Sequence, residues 1–154
     1  MAIQGCSHVA VGVTDMDRSL VFYRDVLGLR VDLDVEEGAF DPAAGSFRRR
    51  AVYLRAPDSS GDPHDFFMVL DQQLDDEPFG RPPRIFQVGT HHFSLWVDDL
   101  IEVFERAVST GHRAILRPTE AGPAAYGEQP GSAGVLTAIL KDPDGNPVQL
   151  DQRL

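Results

Sequence analysis

Cysteine is nearly missing from these 154 residues, and Cys6 stands alone. A lone thiol closes no intrachain disulfide and has no second thiol beside it to bind metal, so a reducing, cytoplasmic setting is expected. Its place just ahead of a strand predicts a buried, unreactive side chain. Long apolar runs are lacking too. No segment reaches the ~20 residues a membrane-spanning helix needs, and no basic stretch followed by an apolar one opens the chain. Neither a membrane role nor a secretory leader is therefore expected. Positive charge is scarce: 14 Lys and Arg against 24 Asp and Glu give a formal net charge of −10. Phosphate backbones are held by basic stripes, so this balance excludes a nucleic-acid role. The one basic run, Arg48-Arg49-Arg50, would alternate faces in a strand and reads as solvated charge.

What the chain has in plenty is self-similarity. His8-Val9-Ala10-Val11-Gly12-Val13, followed by Asp15, recurs at a constant offset as His92-Phe93-Ser94-Leu95-Trp96-Val97, followed by Asp99. Asp62-Pro63 through Leu70-Asp71-Gln72 and Leu74 likewise parallels Asp142-Pro143 through Leu150-Asp151-Gln152 and Leu154, without a gap. An internal repeat decides architecture before any local signal does.

Periodicity fills in each half. Residues 7–13 read as a strand, and a helix is expected from about 15 to 27. Thr14 and Asp17 resemble an N-cap pair, Met16, Leu20, Tyr23 and Leu27 form the apolar stripe, and Gly28 ends it. Strands follow near 29–35, 48–55 and 65–71, separated by the Gly/Pro/Asp-rich stretches 37–46 and 56–63. Residues 75–90 form a linker. In the second half, 91–97 is a strand and Asp99 with Glu102 opens a helix. Its stripe is Leu100, Val103, Phe104, Ala107 and Val108, and Gly111 stops it. Strands near 113–117, 134–141 and 146–151 complete the half. The last two flank Asp142-Pro143-Asp144-Gly145, a type I turn pattern. Residues 1–74 and 91–154 thus each read as a βαβββ module. The predicted fold is α+β, with the paired modules forming a curved, cup-shaped mixed sheet and the helices outside.

Strand parity sorts the chemistry. Val9, Val11 and Val13 must face the helix, so His8, Ala10 and Gly12 point into the cup. His92, Ser94 and Trp96 do the same in the repeat, and in the last strand Gln149 and Asp151 oppose Val148 and Leu150. Two imidazoles and an amide oxygen can hold a divalent first-row metal. The same residues equally suit two structural histidines and a polar Gln in a solvated cleft. His91 has the opposite parity and reads as outward-facing or structural. Tyr126 and Glu128 lie in a long Gly/Pro-rich loop, residues 119–134, able to close over the cup. Tyr53, Phe67 and Trp96 could line a pocket or be ordinary core aromatics.

His8 with Val13 and Asp15, Phe22-Tyr23-Arg24-Asp25 with Leu27-Gly28, Gly89 with His91-His92-Phe93, and Asp142-Pro143-Asp144-Gly145-Asn146-Pro147-Val148-Gln149-Leu150 resemble the vicinal oxygen chelate superfamily. This is the glyoxalase, bleomycin-resistance protein and extradiol dioxygenase group. The resemblance covers nearly the whole chain. It implies a metal in the cup, and His8, His92 and Gln149 fall at ligand positions, Gln149 where Glu is usual. The equivalent first-module position is Val69, or Met68 in the neighbouring register. Ile139 stands where the extradiol pattern has Tyr, and His64 stands near that pattern's acid/base His. The function implied is a metal-dependent enzyme, dioxygenase- or lyase-like, chelating adjacent substrate oxygens at Fe, Mn, Zn or Ni, with no nucleotide cofactor. Tyr53, Phe67, Val69, Trp96 and Tyr126 would line its substrate pocket. The rival is a non-catalytic, bleomycin-resistance-like protein that sequesters an aromatic or cationic small molecule. A glyoxalase or epimerase would need a first-module carboxylate base not found there. The resemblance also implies a homodimer.

Overall fold

Two four-stranded sheets repeat one chain order. A computed structural model describes residues 5–43, 45–62 and 64–154. In the first sheet β1 (His8–Gly12) runs parallel to β4 (Phe67–Gln73). Antiparallel β3 (Gly45–Arg55) and β2 (Arg30–Asp41) follow, giving the order β1-β4-β3-β2. In the second, β5 (Phe93–Trp96) runs parallel to β8 (Pro147–Arg153). Antiparallel β7 (Val135–Lys141) and β6 (Ala114–Ala121) complete the order β5-β8-β7-β6. A helix follows the first strand of each set: α1 (Met16–Leu20), which continues over Val21–Val26 with wider π turns, and α2 (Leu100–Ser109). The fold is α+β, with a βαβββ order in each sheet. The chain divides into two compact units that meet in sequence at Gly80 and Arg81.

The repeated Asp-Gln pair has a structural reason. Each Asp carbonyl accepts from the backbone N–H just past the first strand: Asp71 from Val13 and Asp151 from Val97, both at 2.9 Å. Each Gln side chain then reaches the helix start. Gln72 Oε1 accepts from the Met16 N–H at 2.9 Å, and Gln152 Oε1 from the Leu100 N–H at 2.8 Å. The first turn of a helix has N–H groups with no intrahelical partner, so one remote amide per unit ties helix to sheet. Asp99 caps α2 by accepting from the Glu102 N–H, as the sequence implied. In the first unit the cap is Asp15, accepting from the Arg18 N–H, rather than the expected Thr14–Asp17 pair.

Other boundaries moved for physical reasons. The first helix widens because Phe22, Tyr23 and Val26 are all buried beside Met16 and Leu20. The Leu27 N–H reaches back to the Phe22 carbonyl at 2.9 Å, a five-residue step that turns adjacent large side chains into one core. In α2, Leu100, Val103, Phe104 and Ala107 are buried, but Val108 is exposed. Stretch 37–46 is mostly strand: β2 and β3 pair from Arg30↔Arg55 out to Asp41↔Gly45. Glu37 of this stretch, with acidic residues from elsewhere in the unit, meets the arginine run, which is ion-paired rather than simply solvated. Arg49 bonds Glu37 and Asp71, each at 2.7 Å, while Arg50 bonds Asp17 and Asp34 at 2.7 and 2.8 Å. Arg48 meets Asp75 at 2.9 Å. Cys6 is exposed, not buried, because β1 begins only at His8.

The Asp142 turn forms as expected. The Gly145 N–H bonds the Asp142 carbonyl at 3.0 Å, and Gly145 has φ 95°, a left-handed conformation that favours glycine. The buried Asp142 carboxylate accepts from the Asp144 and Asn146 N–H groups at 3.0 and 2.7 Å. In the first half, Pro63 of the matching Asp62-Pro63 element lies outside the described residues.

Candidate functional site

In the second unit, parallel pairing sets Ser94 beside Gln149 and Trp96 beside Asp151. These side chains share the sheet face opposite α2, as alternation requires. Asp151 is their centre. Only 2% of it is exposed, yet its carboxylate accepts from Ser94 Oγ, from Tyr126 Oη at 2.5 Å and from Gln149 Nε2 at 3.0 Å. Burial pushes this carboxyl up, but the hydrogen-bond donors around it, Ser94 and Tyr126 foremost, outweigh it and hold Asp151 below the usual carboxylate range. The Tyr126 phenol moves the other way. Burial, then its bond to Asp151, raises it above the ordinary tyrosine value, so it stays a donor near neutrality.

The ionised carboxylate fixes its neighbours. A carboxylate only accepts, so Gln149 must turn its NH2 toward Asp151 and its carbonyl oxygen away. The expected 119–134 loop begins only at 122, because β6 stays paired with β7 out to Ala121; Tyr126 comes from this 122–134 loop, at the end of a short 3-10 turn, Pro123–Tyr126. Its ring lies 6.2 Å from that of Trp96, which is 58% exposed. The Arg153 guanidinium sits 4.6 Å over the Trp96 ring and bonds Glu128 of the same loop at 2.6 Å. Strand parity placed Asp151 on this face with Gln149, and the same step of two could have flagged Arg153. The bond from Asp151 to the distant Tyr126 carried no such signal.

His92 precedes β5 rather than lying on it, and alternation does not yet apply there. His91 is therefore not turned away. Its Nδ1 lies 2.7 Å from Nδ1 of His92, one ring donating and the other accepting, and the His91 ring lies 5.9 Å from Phe86. Burial, then the neighbouring His91, lowers the His92 imidazole from its ordinary value despite the Asp151 charge, which opposes the shift.

In the first unit, β1 and β4 pair His8 with Phe67, Ala10 with Val69 and Gly12 with Asp71, while β3 sets Tyr53 beside Val69. The His8 ring stacks on Phe67 at 5.0 Å between centroids and 15° between planes, and its Nδ1 lies 3.0 Å from Ser7 Oγ. Tyr53 lies 6.0 Å from Phe67, and Arg55 covers the same Phe67 ring at 5.0 Å. So His8, Tyr53 and Phe67 form one aromatic cluster, with Val69 buried beside it. His64 is not part of it. It is an exposed residue of the loop before β4, its backbone N–H bonded to Asp62 at 2.8 Å.

Among the described residues, no three His, Cys, Asp or Glu side chains gather as a metal-holding group. The implied set of His8, His92 and Gln149 carries no anionic donor, and its first-unit counterpart to Gln149 is the apolar Val69. His8 and His92 also spend one ring nitrogen each on Ser7 and His91. Divalent ions favour anionic oxygen alongside imidazole, so these residues do not fit the charged ligand set that the resemblance implies.

The family model of the glyoxalase/bleomycin resistance protein/dioxygenase superfamily matches residues 5–150. No functionally curated protein matches the chain. Among solved structures, a glyoxalase family protein from Bacillus cereus superposes with a TM-score of 0.78 at 14% identity, covering 100% of this chain and 97% of that one. A glyoxylase/bleomycin resistance protein/dioxygenase domain from a Frankia species gives 0.66 at 16% identity, covering 99% and 100%. An antibiotic binding protein from a Streptomyces species gives 0.58 at 21% identity, covering 100% and 99%. With the family model spanning nearly its whole length, the chain belongs to the glyoxalase/bleomycin resistance protein/dioxygenase superfamily.

Proposed function

We propose that the chain is a small-molecule-binding member of this superfamily that holds an aromatic ligand without metal chemistry. The observation that carries this is the second unit's polar centre: Asp151 directs the hydrogens of Ser94, Tyr126 and Gln149 toward itself, beside the exposed Trp96. The groups are spent on shaping a surface, and the indole is left for a guest. The first unit's cluster of His8, Tyr53 and Phe67 supports the same reading. So does the antibiotic-binding relative of like fold. The protein is taken to act in the cytoplasm, as a homodimer, with its two modules spanning residues 1–74 and 91–154 about the 75–90 linker.

A second reading has one feature in its favour. His8 and His92 stand at equivalent positions of the repeat, as metal ligands of a dioxygenase- or lyase-like enzyme would, with Gln149 as third donor and His64 as acid/base. Trp96 is the chain's single tryptophan, so its emission tests the binding reading directly. Titration with planar aromatic compounds is expected to change that emission saturably, and Trp96→Leu, followed by calorimetry because it removes the only indole, to weaken binding about tenfold, as loss of a stacking face would. Absence of any saturable response across the panel would overturn the reading.

A further inference from the structure

The Arg153 guanidinium lies 4.6 Å over the Trp96 ring, with the Glu128 carboxylate 2.6 Å from it. An aromatic face and a carboxylate are what a guanidinium or alkylammonium ion needs from a binding site. The walls and the occupant differ in how firmly they are held. Trp96 is on β5, paired with Asp151. Glu128 belongs to a loop pinned by the Tyr126–Asp151 bond, and its own N–H bonds the Pro123 carbonyl at 3.0 Å. Arg153 is a flexible side chain near the end of β8, about half exposed. An exposed ion pair and an exposed cation–aromatic contact are each weak, so this occupant is displaceable. The net charge of −10 draws small cations to the surface.

We propose that Trp96 and Glu128 form a cation site plugged by the chain's own Arg153, and that a ligand bearing a guanidinium, amidinium or alkylammonium group binds there by displacing it. This rests on the small-molecule-binding reading and adds to it a charge preference and a gate. Ligand entry frees Arg153 and loads Glu128 anew, so the 122–134 loop keeps its anchor while the plug swings out.

Benzamidinium and its neutral isostere benzamide, titrated against Trp96 emission at constant ionic strength, test this. A tethered side chain competes at millimolar or higher effective concentration, so Arg153→Gln is expected to bind benzamidinium about tenfold tighter than the native chain. Adding Glu128→Gln should remove most of that gain, and benzamide should gain little in any variant. Arg153→Lys, which keeps a cation in place, should stay close to native. Equal benzamidinium affinity in native and Arg153→Gln protein overturns the proposal, as does a gain that survives Glu128→Gln. If benzamide and benzamidinium bind alike in every variant, the cation site falls while the binding reading stands. If neither binds any folded variant, both fall. Arg153→Ala with an unchanged thermal midpoint repeats the test without a polar replacement.

Discussion

Asp71 and Asp151 occupy the same place in the repeat, each ahead of the Gln that ties helix to sheet, and their surroundings diverge completely. Asp71 is half-buried and paired with Arg49, itself shared with Glu37. Asp151 is buried among neutral donors from three separate parts of its unit: β5, the 122–134 loop and β8. Burial raises Asp71 above the usual carboxylate range despite Arg49, whereas hydrogen bonding overcomes burial at Asp151 and lowers it. The backbone roles of the two aspartates were kept and their side-chain roles were not. Duplication preserved the scaffold and specialised one face. The first unit turned to ion pairs along a long hairpin, and the second to a polar centre beside an exposed indole.

The largest test of that contrast is removal of each carboxylate. Asp151→Ala removes a buried carboxylate that accepts from Ser94, Tyr126 and Gln149, and should cost about 2 kcal/mol in chemical denaturation. Asp71→Ala leaves Arg49 with Glu37 and should cost about 1 kcal/mol, since a part-exposed pair contributes little. Equal losses would erase the distinction. The shared scaffold gives the opposite expectation: Gln72→Ala and Gln152→Ala should each cost about 1 kcal/mol, because each removes one hydrogen bond to a helix N-terminus.

Acid titration separates the two aspartates by sign. Asp151 is lowered, so its contribution is full above the ordinary aspartate value near 3.8 and is lost as pH falls through its lower native value. Asp71 is raised, so its contribution is present in acid and is lost as pH rises through its higher native value. Asp151→Asn should therefore flatten the loss of stability below pH 3.8, and Asp71→Asn should remove a gain that the native chain makes above 3.8 as pH falls toward that value. Carboxyl chemical shifts should place the two midpoints on opposite sides of 3.8. The smallest effect belongs to the outer hairpin. Arg48→Ala, which breaks an exposed pair with Asp75, should shift stability by about 0.5 kcal/mol or less.

The repeat and the strand alternation made the fold readable from sequence, because burial on one sheet face imposes a period of two that no other element shares. The positions of His8, Gln149 and Asp151 followed from the same rule. Alternation failed where its premise failed: His91 and His92 precede β5, so their rings meet instead of opposing. The hairpin across 37–46 was hidden because Gly38 and the acidic residues suggest a loop, while the Arg48–Arg50 run that pairs with them lies on the partner strand. The π turns at Val21–Val26 had no local signal either. They answer the need to bury Phe22 and Tyr23 together, which only packing reveals.

Metal content tests the account most directly. Protein purified without chelator, in native form and as His8→Ala and His92→Ala, is to be measured for Fe, Mn, Zn and Ni alongside aromatic-ligand binding at Trp96. The account predicts well under one metal per chain, unchanged by either substitution, with ligand binding that survives chelator. One equivalent of a single metal, lost in both histidine variants, would contradict it.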